Sequence, residues 1–495
     1  MTTTAPETSR RQEATGIARA QTPSLIIGII GLVACAIGFF INPDEFFKAY
    51  LPSYIFWFEI TAGGLAVLML QYITGGEWGL LIRRPLGAAA RTMPLMFILF
   101  LPIVLGLRHI YIWADPNVVA HDLALQHTHK WLNPTGYIVR TLIYFACWNL
   151  WAWRIRVLSL RFYEDRAPET ELKRRQWAAL GLPMMVLTLT FCSIDWMMSL
   201  EPKWNSSMYG ITFLVSCGLA SYAYVTFLLT QLAKTRAMAN ILKPNHFRDL
   251  GNLMLAFVMF WAYTSFSQFL LIWYGNIKEE VPYYLKREHG MWGFIAAMLI
   301  IFHFFLPFFM LLMRAIKDRP KTIAIVAIII LAMRYIHTYW LIGPAYYGER
   351  FYFSWMSIAA LVGIAGIWFW FFVNQLKGQT IIPIHETWVE EAIREGRLTV
   401  NACALQLRRR RDLQPGNASR EDGRQRSRAA HLHRCLCHLR HRDASRPLGT
   451  LQRIRERRAA AADGTGDGDA AAGRHGRSEE SAAGATVPAW CSDRA

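Results

Sequence analysis

The sequence has no CxxCH for haem attachment and no cysteine cluster with iron–sulfur spacing. Of its eight cysteines, Cys35, Cys147, Cys192 and Cys217 stand singly inside apolar runs, where a thiol is usually a small buried residue. Electron chemistry here would need a diffusible carrier, or cofactors held by a partner. No signal peptide is expected, because the first apolar run is too long for a signal core and lacks a small-residue cleavage site. Residues 401–495 contain no lysine at all, although arginine and alanine abound. No helical or strand period persists there, so the composition predicts a disordered tail. An arginine-rich, lysine-free end is what a GC-rich gene yields out of frame, and a frameshift near residue 400 is the expectation. Within it, His431, His433, Cys435, Cys437, His438 and His441 lack the spacing of tetrahedral zinc sites.

What the chain does have is long apolar runs. Ten of them, near 24–42, 50–73, 93–113, 136–158, 178–200, 208–233, 250–274, 291–313, 322–341 and 353–375, are each long enough to cross a bilayer core of about 30 Å. The chain is 54% hydrophobic, above a soluble domain. The expected class is an all-α integral membrane protein of ten helices, in which helices 2–5 and 6–9 have matching directions, as two parallel four-helix units with two peripheral helices would. The expected organisation is a cytoplasmic arm over 1–22, a membrane domain over 23–376, a cytoplasmic surface helix over 377–400, and the tail. Trp388, Val389, Ala392 and Ile393 give that surface helix one apolar face, suited to the membrane surface or to a partner subunit.

The formal charge of +18 is distributed by loop. With the N-terminus inside, 21 Lys and Arg fall in inner segments and seven (Lys48, Lys130, Lys203, Lys278, Lys286, Arg287, Arg350) in outer ones. This is a positive-inside pattern, so both termini are expected in the cytoplasm, and no nucleic-acid partner is implied.

Ionisable groups are scarce in the inner half of the spans and gather in the outer half. Glu59, Arg108, His109, Arg140, Asp195, Gln268, Arg334 and His337 lie there, His303 is near mid-membrane, and Glu201 is interfacial. Charges in a bilayer are costly unless paired, so both signs should meet inside the bundle. Arg140 and Arg334 serve equally well as structural partners, and His303 alone reads as a satisfied core histidine. Asp195 and Glu59 are the better candidates for proton exchange. A quinol releases two electrons and two protons, and a nearby His or Asp can accept the protons.

"SIDWMMSLEPKWNSSMYG" (193–210), "FWFEITAGGLAVLMLQYITGGEWGLLIRRPLGAAARTMPL" (56–95), "WAYTSFSQFLLIWYGNIKEE" (261–280) and "FHFFLPFFMLLMR" (302–314) resemble the second NrfD-like membrane subunit of alternative complex III. The resemblance spans about 20–400 and stops at the tail. It implies a subunit of a bacterial complex that oxidises quinol (menaquinol or another) and passes electrons to cytochrome c or a terminal oxidase. Partner subunits (multihaem cytochromes, an iron–sulfur subunit, the first NrfD-like subunit) would hold the haems and clusters. This chain would bind quinone, conduct protons or only anchor the complex. A secondary transporter with parallel repeats is the competing reading, although Pro102 and Pro183 interrupt runs without forming paired unwound segments.

Overall fold

The computed structural model describes residues 5–165, 167–234, 242 and 244–377. The surface helix with Trp388 and the tail with its Cys/His cluster lie outside the described residues. Among those described, 87% are helical and none forms a strand. Nine helical stretches are long and apolar enough to span a bilayer, and the protein is a multi-pass, all-α membrane protein.

The long helices follow the apolar runs. They are α1 (Ala5–Ile41), α2 (Pro43–Thr74), the broken pair α3 (Arg83–Ala90) and α4 (Met93–Leu105), and, after three short helices, α5 (Leu107–Ile110), α6 (Pro116–His121) and α7 (Leu123–Thr128), α8 (Pro134–Asp165) and α9 (Pro168–Trp196). The second half holds α10 (Met208–Leu232), α11 (Pro244–Gly275), the short α12 (Val281–Glu288), α13 (Gly290–Met298), a π-helix (Leu299–Phe305), α14 (Leu306–Leu312), the short α15 (Arg314–Lys317), α16 (Pro320–Tyr347) and α17 (Trp355–Leu376). The expected tenth span, α8, is as long as its neighbours, but Arg140 and Asn149 interrupt its apolar stretch and it falls outside the nine. The expected arm over 1–22 is helical from Ala5, continuous with the first span.

Packing divides the helices as the sequence suggests. Helices α2, α4, α8 and α9 contact one another in a ring, and α10 packs on α11 and α16, which contact the π-helix and α14. The groups meet along α2 and α10, both 83% buried over their apolar windows. A Cβ at Gly63 would sit 1.9 Å from the Cys217 carbonyl oxygen, so only glycine permits this approach. Ser221 Oγ donates to the Ile60 carbonyl at 2.8 Å across the same seam. Outside the groups, α1 lies on α17 through Gly28 and Gly31 against Gly366 and Gly363, where a Cβ on Gly31 would come within 2.4 Å of Gly363 Cα.

Apolar side chains also cover the outside. Ile30, Phe40, Phe266, Leu271, Phe294 and Phe309 are exposed. In water such a surface would be unfavourable, whereas lipid tails cover it without cost. Polar side chains pair near the helix ends. At one end Glu45 accepts from Tyr347 and Lys203 pairs with Asp122. At the other, Arg91 donates to the Gln375 carbonyl and Arg248 pairs with Asp318.

Candidate functional site

The ten candidate residues do not form one cluster. They separate into two buried groups, one partly buried group, and three side chains that join none of these.

The first buried group is centred on Asp195, one residue before the end of α9. Arg140, from the second turn of α8, grips it in a fork: Nε donates to Oδ2 and Nη2 to Oδ1, each at 2.9 Å. Tyr144, one turn further along α8, donates to Oδ2 at 2.8 Å. Trp131 Nε1 donates to Oδ1 at 3.0 Å, and the Arg140 guanidinium lies 4.2 Å from the Trp131 ring. Four donors thus meet the four main acceptor directions of one carboxylate. The sequence suggests Asp195 as a proton-exchange group with Glu59, Arg108, His109, Arg140, Arg334 and His337 as neighbours, and of these Arg140 is the one that meets it among the described residues. Asp195 is instead a saturated, clamped group.

The second buried group lies between α2, α11, the π-helix and α16. Arg334 donates from Nη2 to Glu59 Oε1 at 2.8 Å and from Nε to Oε2 at 3.3 Å. Thr338, one turn on, donates to Oε1 at 3.4 Å. The third Arg334 nitrogen, Nη1, lies 2.7 Å from His337 Nδ1, which must accept. Residues three and four apart share a helix face, so Arg334, His337 and Thr338 all face α2. His303 extends the group. Its ring centroid is 6.1 Å from that of His337 and 4.2 Å from that of Trp261, edge to face.

His303 differs from every other member. Both its nitrogens are buried and neither has a hydrogen-bond partner among the described residues. The Trp261 and Ser265 donors of α11 are also buried and unpartnered there. Buried polar atoms are rarely left so. The expected satisfied core histidine is therefore corrected to an imidazole open on both nitrogens. It sits inside the π-helix, a widened turn that frequently marks functional sites.

Glu201 heads the third group, just past the end of α9. It accepts from Arg287 at 3.0 Å and from Lys286 at 3.1 Å, both on α12. Arg287 is 1% exposed and donates also to the Leu341 carbonyl. Sequence reading counted Arg287 only as an outer-loop charge; no periodic signal shows that α12 folds back onto the bundle. A cavity of about 180 Å³ adjoins it, lined by Glu201, Trp204 and Arg287 among others. Tyr283, stacked on Trp204, has its hydroxyl pushed up to about 12 by burial.

Arg108, His109 and Gln268 join none of these groups. Gly106 ends α4, so Arg108 and His109 fall on the four-residue α5 at the surface, and both are exposed. His109 pairs there with exposed Asp44 and stacks on Phe47. Their expected place in the interior is corrected accordingly: the apolar run 93–113 is not one helix. Gln268 is buried near Tyr284. An aromatic wedge divides the two buried groups. Trp196, next to Asp195, packs at 5.0 Å on Phe58, next to Glu59. Among the described residues no three His, Cys, Asp or Glu side chains converge as metal ligands would. No protein-family model matches the chain, and no curated protein matches it.

Proposed function

We propose that this protein is a membrane subunit of a quinol-oxidising respiratory complex of the alternative complex III type, and that Glu59, Arg334, His337 and His303 handle its protons. One observation carries the proton role: a buried imidazole with both nitrogens unpartnered beside a buried Glu–Arg–His chain. An imidazole can take a proton on one nitrogen and release one from the other, and a buried water can join it to its neighbours. Trp261 and Ser265 offer the further polar atoms such a water needs. The four quoted segments that resemble the second NrfD-like subunit support membership of the complex. Haems and iron–sulfur clusters would then belong to partner subunits, with quinol the diffusible carrier.

A transporter would want matching interruptions in both bundles. The break at Arg91–Thr92 falls in the second span of one bundle, and the π-helix in the third span of the other. The test is copurification followed by reconstitution. The chain should copurify with multihaem cytochrome and iron–sulfur subunits. His303→Phe and His303→Leu complexes should assemble with haems intact, while turnover or proton release per quinol falls about tenfold or more. Unchanged turnover and coupling in both variants would leave a structural anchor as the reading. Purification without any haem subunit would remove the complex itself.

A further inference from the structure

The arginine-rich end of the bundle holds a cleft that the proton reading does not use. It opens to the outside between α2, α3 and α8. Arg83 and Arg84 from the first turn of α3, Arg91 from its end, and Arg156 from α8 all line it. No Asp or Glu is among its described lining residues.

Two of these guanidinium groups are fixed in place. Arg91 donates to the Gly87 carbonyl at 3.1 Å and to the Gln375 carbonyl, at the end of α17, at 2.7 Å. Arg83 donates to Gln71 and lies 5.1 Å from the Tyr72 ring. Arg174, buried in α9, lies 4.4 Å from that same ring. Tyr72 therefore organises two cations, one of which faces the cleft. Like charges drawn together at a low-dielectric boundary repel, and an anion between them removes the repulsion. Guanidinium groups suit a tetrahedral phosphate because each presents a fork of parallel N–H donors.

The cleft's position selects among phosphates. Arg83 opens the apolar span Arg83–Leu105, so the cleft stands at the polar–apolar boundary. Its remaining wall includes Leu65, Leu68 and Ile155. On α8, Trp153, Arg156 and Leu160 share one face, three and seven residues apart, and all three are exposed. A phosphate in the cleft would have an apolar track beside it running away from the arginines.

We propose that this cleft binds the phosphate of an anionic phospholipid from the leaflet on the arginine-rich side, with the acyl chains along the exposed face of α8. A basic pocket between transmembrane helices suits such a headgroup. A net-negative lipid is favoured, because the described lining holds arginines and no carboxylate, whereas a choline headgroup brings a cation of its own.

The protein, extracted in mild detergent with whatever subunits accompany it and then delipidated, is titrated with phosphatidylglycerol, phosphatidylcholine and inorganic phosphate. Bound lipid is counted by native mass spectrometry and thermal stability is followed in parallel. Phosphatidylglycerol should bind with a raised Tm, and the other two should give neither effect. Arg156→Gln should weaken phosphatidylglycerol binding about tenfold, the loss of roughly one charge-assisted contact. Arg156 is exposed, so this variant should fold normally. The control is Arg319→Gln, an exposed arginine at the same end but outside the cleft, which should bind as the parent does. Equal binding of the two lipids, equal loss in the Arg319 variant, or a Tm rise from inorganic phosphate alone would each overturn the proposal, the last by making this a soluble-anion site.

Discussion

Asp195 and Glu59 are both carboxylates held by an arginine inside the bundle, yet their surroundings differ. Asp195 receives four donors from Arg140, Tyr144 and Trp131. Its arginine is 17% exposed, so part of the charge still reaches polar surroundings. Glu59 and Arg334 are 1% and 0% exposed, with fewer and longer contacts to the carboxylate. Beyond them stand His303, Trp261 and Ser265 with unpartnered polar atoms. A saturated cluster fixes geometry, whereas an incompletely satisfied one retains sites for a moving proton or water, at a cost in stability. On the proposed reading, Asp195 is the structural carboxylate and Glu59 belongs to the proton-handling group.

The strongest challenge to this comparison is Arg334→Met. It leaves Glu59 buried without its cation and should cost about 3–5 kcal/mol, enough to prevent accumulation of folded protein. Adding Glu59→Gln should restore part of that loss in thermal melts, since no charge then remains unpaired; no recovery would mean Arg334 acts through packing alone. Asp195→Asn should cost less, about 1–3 kcal/mol, because Arg140 is partly exposed. It should lower assembly or Tm but leave proton release per turnover intact. A selective loss of coupling would return Asp195 to the proton route.

His303→Phe separates stability from activity. Phenylalanine keeps a ring against Trp261 and removes two unpartnered nitrogens, so stability should stay within about 1 kcal/mol of the parent. A large fall in Tm would show that the imidazole is structurally satisfied. The smallest effect belongs to the exposed pair Lys203–Asp122, 2.8 Å apart. The hydrogen bond from Lys203 holds the Asp122 carboxyl below its usual range. A depressed folded-state pKa favours folding at neutral pH, and that contribution is lost as pH falls through the folded value. Any Tm difference between parent and Asp122→Asn should therefore be near zero at pH 7 and vanish in acid, below about pH 4. A clear difference that persisted in acid would contradict this.

The spans were legible because a bilayer demands continuous apolar runs, and the run boundaries gave each residue a depth. Depth is one coordinate of three. Glu59 and Phe58 have nearly the same depth, but one step along a helix turns the side chain by about 100°. Phe58 consequently packs on Trp196 while Glu59 meets Arg334. That angle depends on which helices become neighbours, and long-range packing decides this. Arg108 and His109 were misplaced for a different reason: composition carried the helix past Gly106, where the chain turns. The partners of Asp195 were half legible. Arg140 was named from its depth, but Trp131 lies in a connecting segment whose return to the bundle has no periodic signal.

The glycine contact between α1 and α17 has a consequence for biogenesis. Gly31 and Gly363 stand more than three hundred residues apart in the chain. At synthesis rates of about 5–20 residues per second, the first span waits roughly 20–60 s for the last. Through that interval its small-residue face has only lipid against it, and the membrane domain cannot seal its periphery until α17 has entered. The order of the gene thus leaves the outermost helix pair as the final step of assembly, and a chain stopped before α17 would carry a first helix with no fixed place.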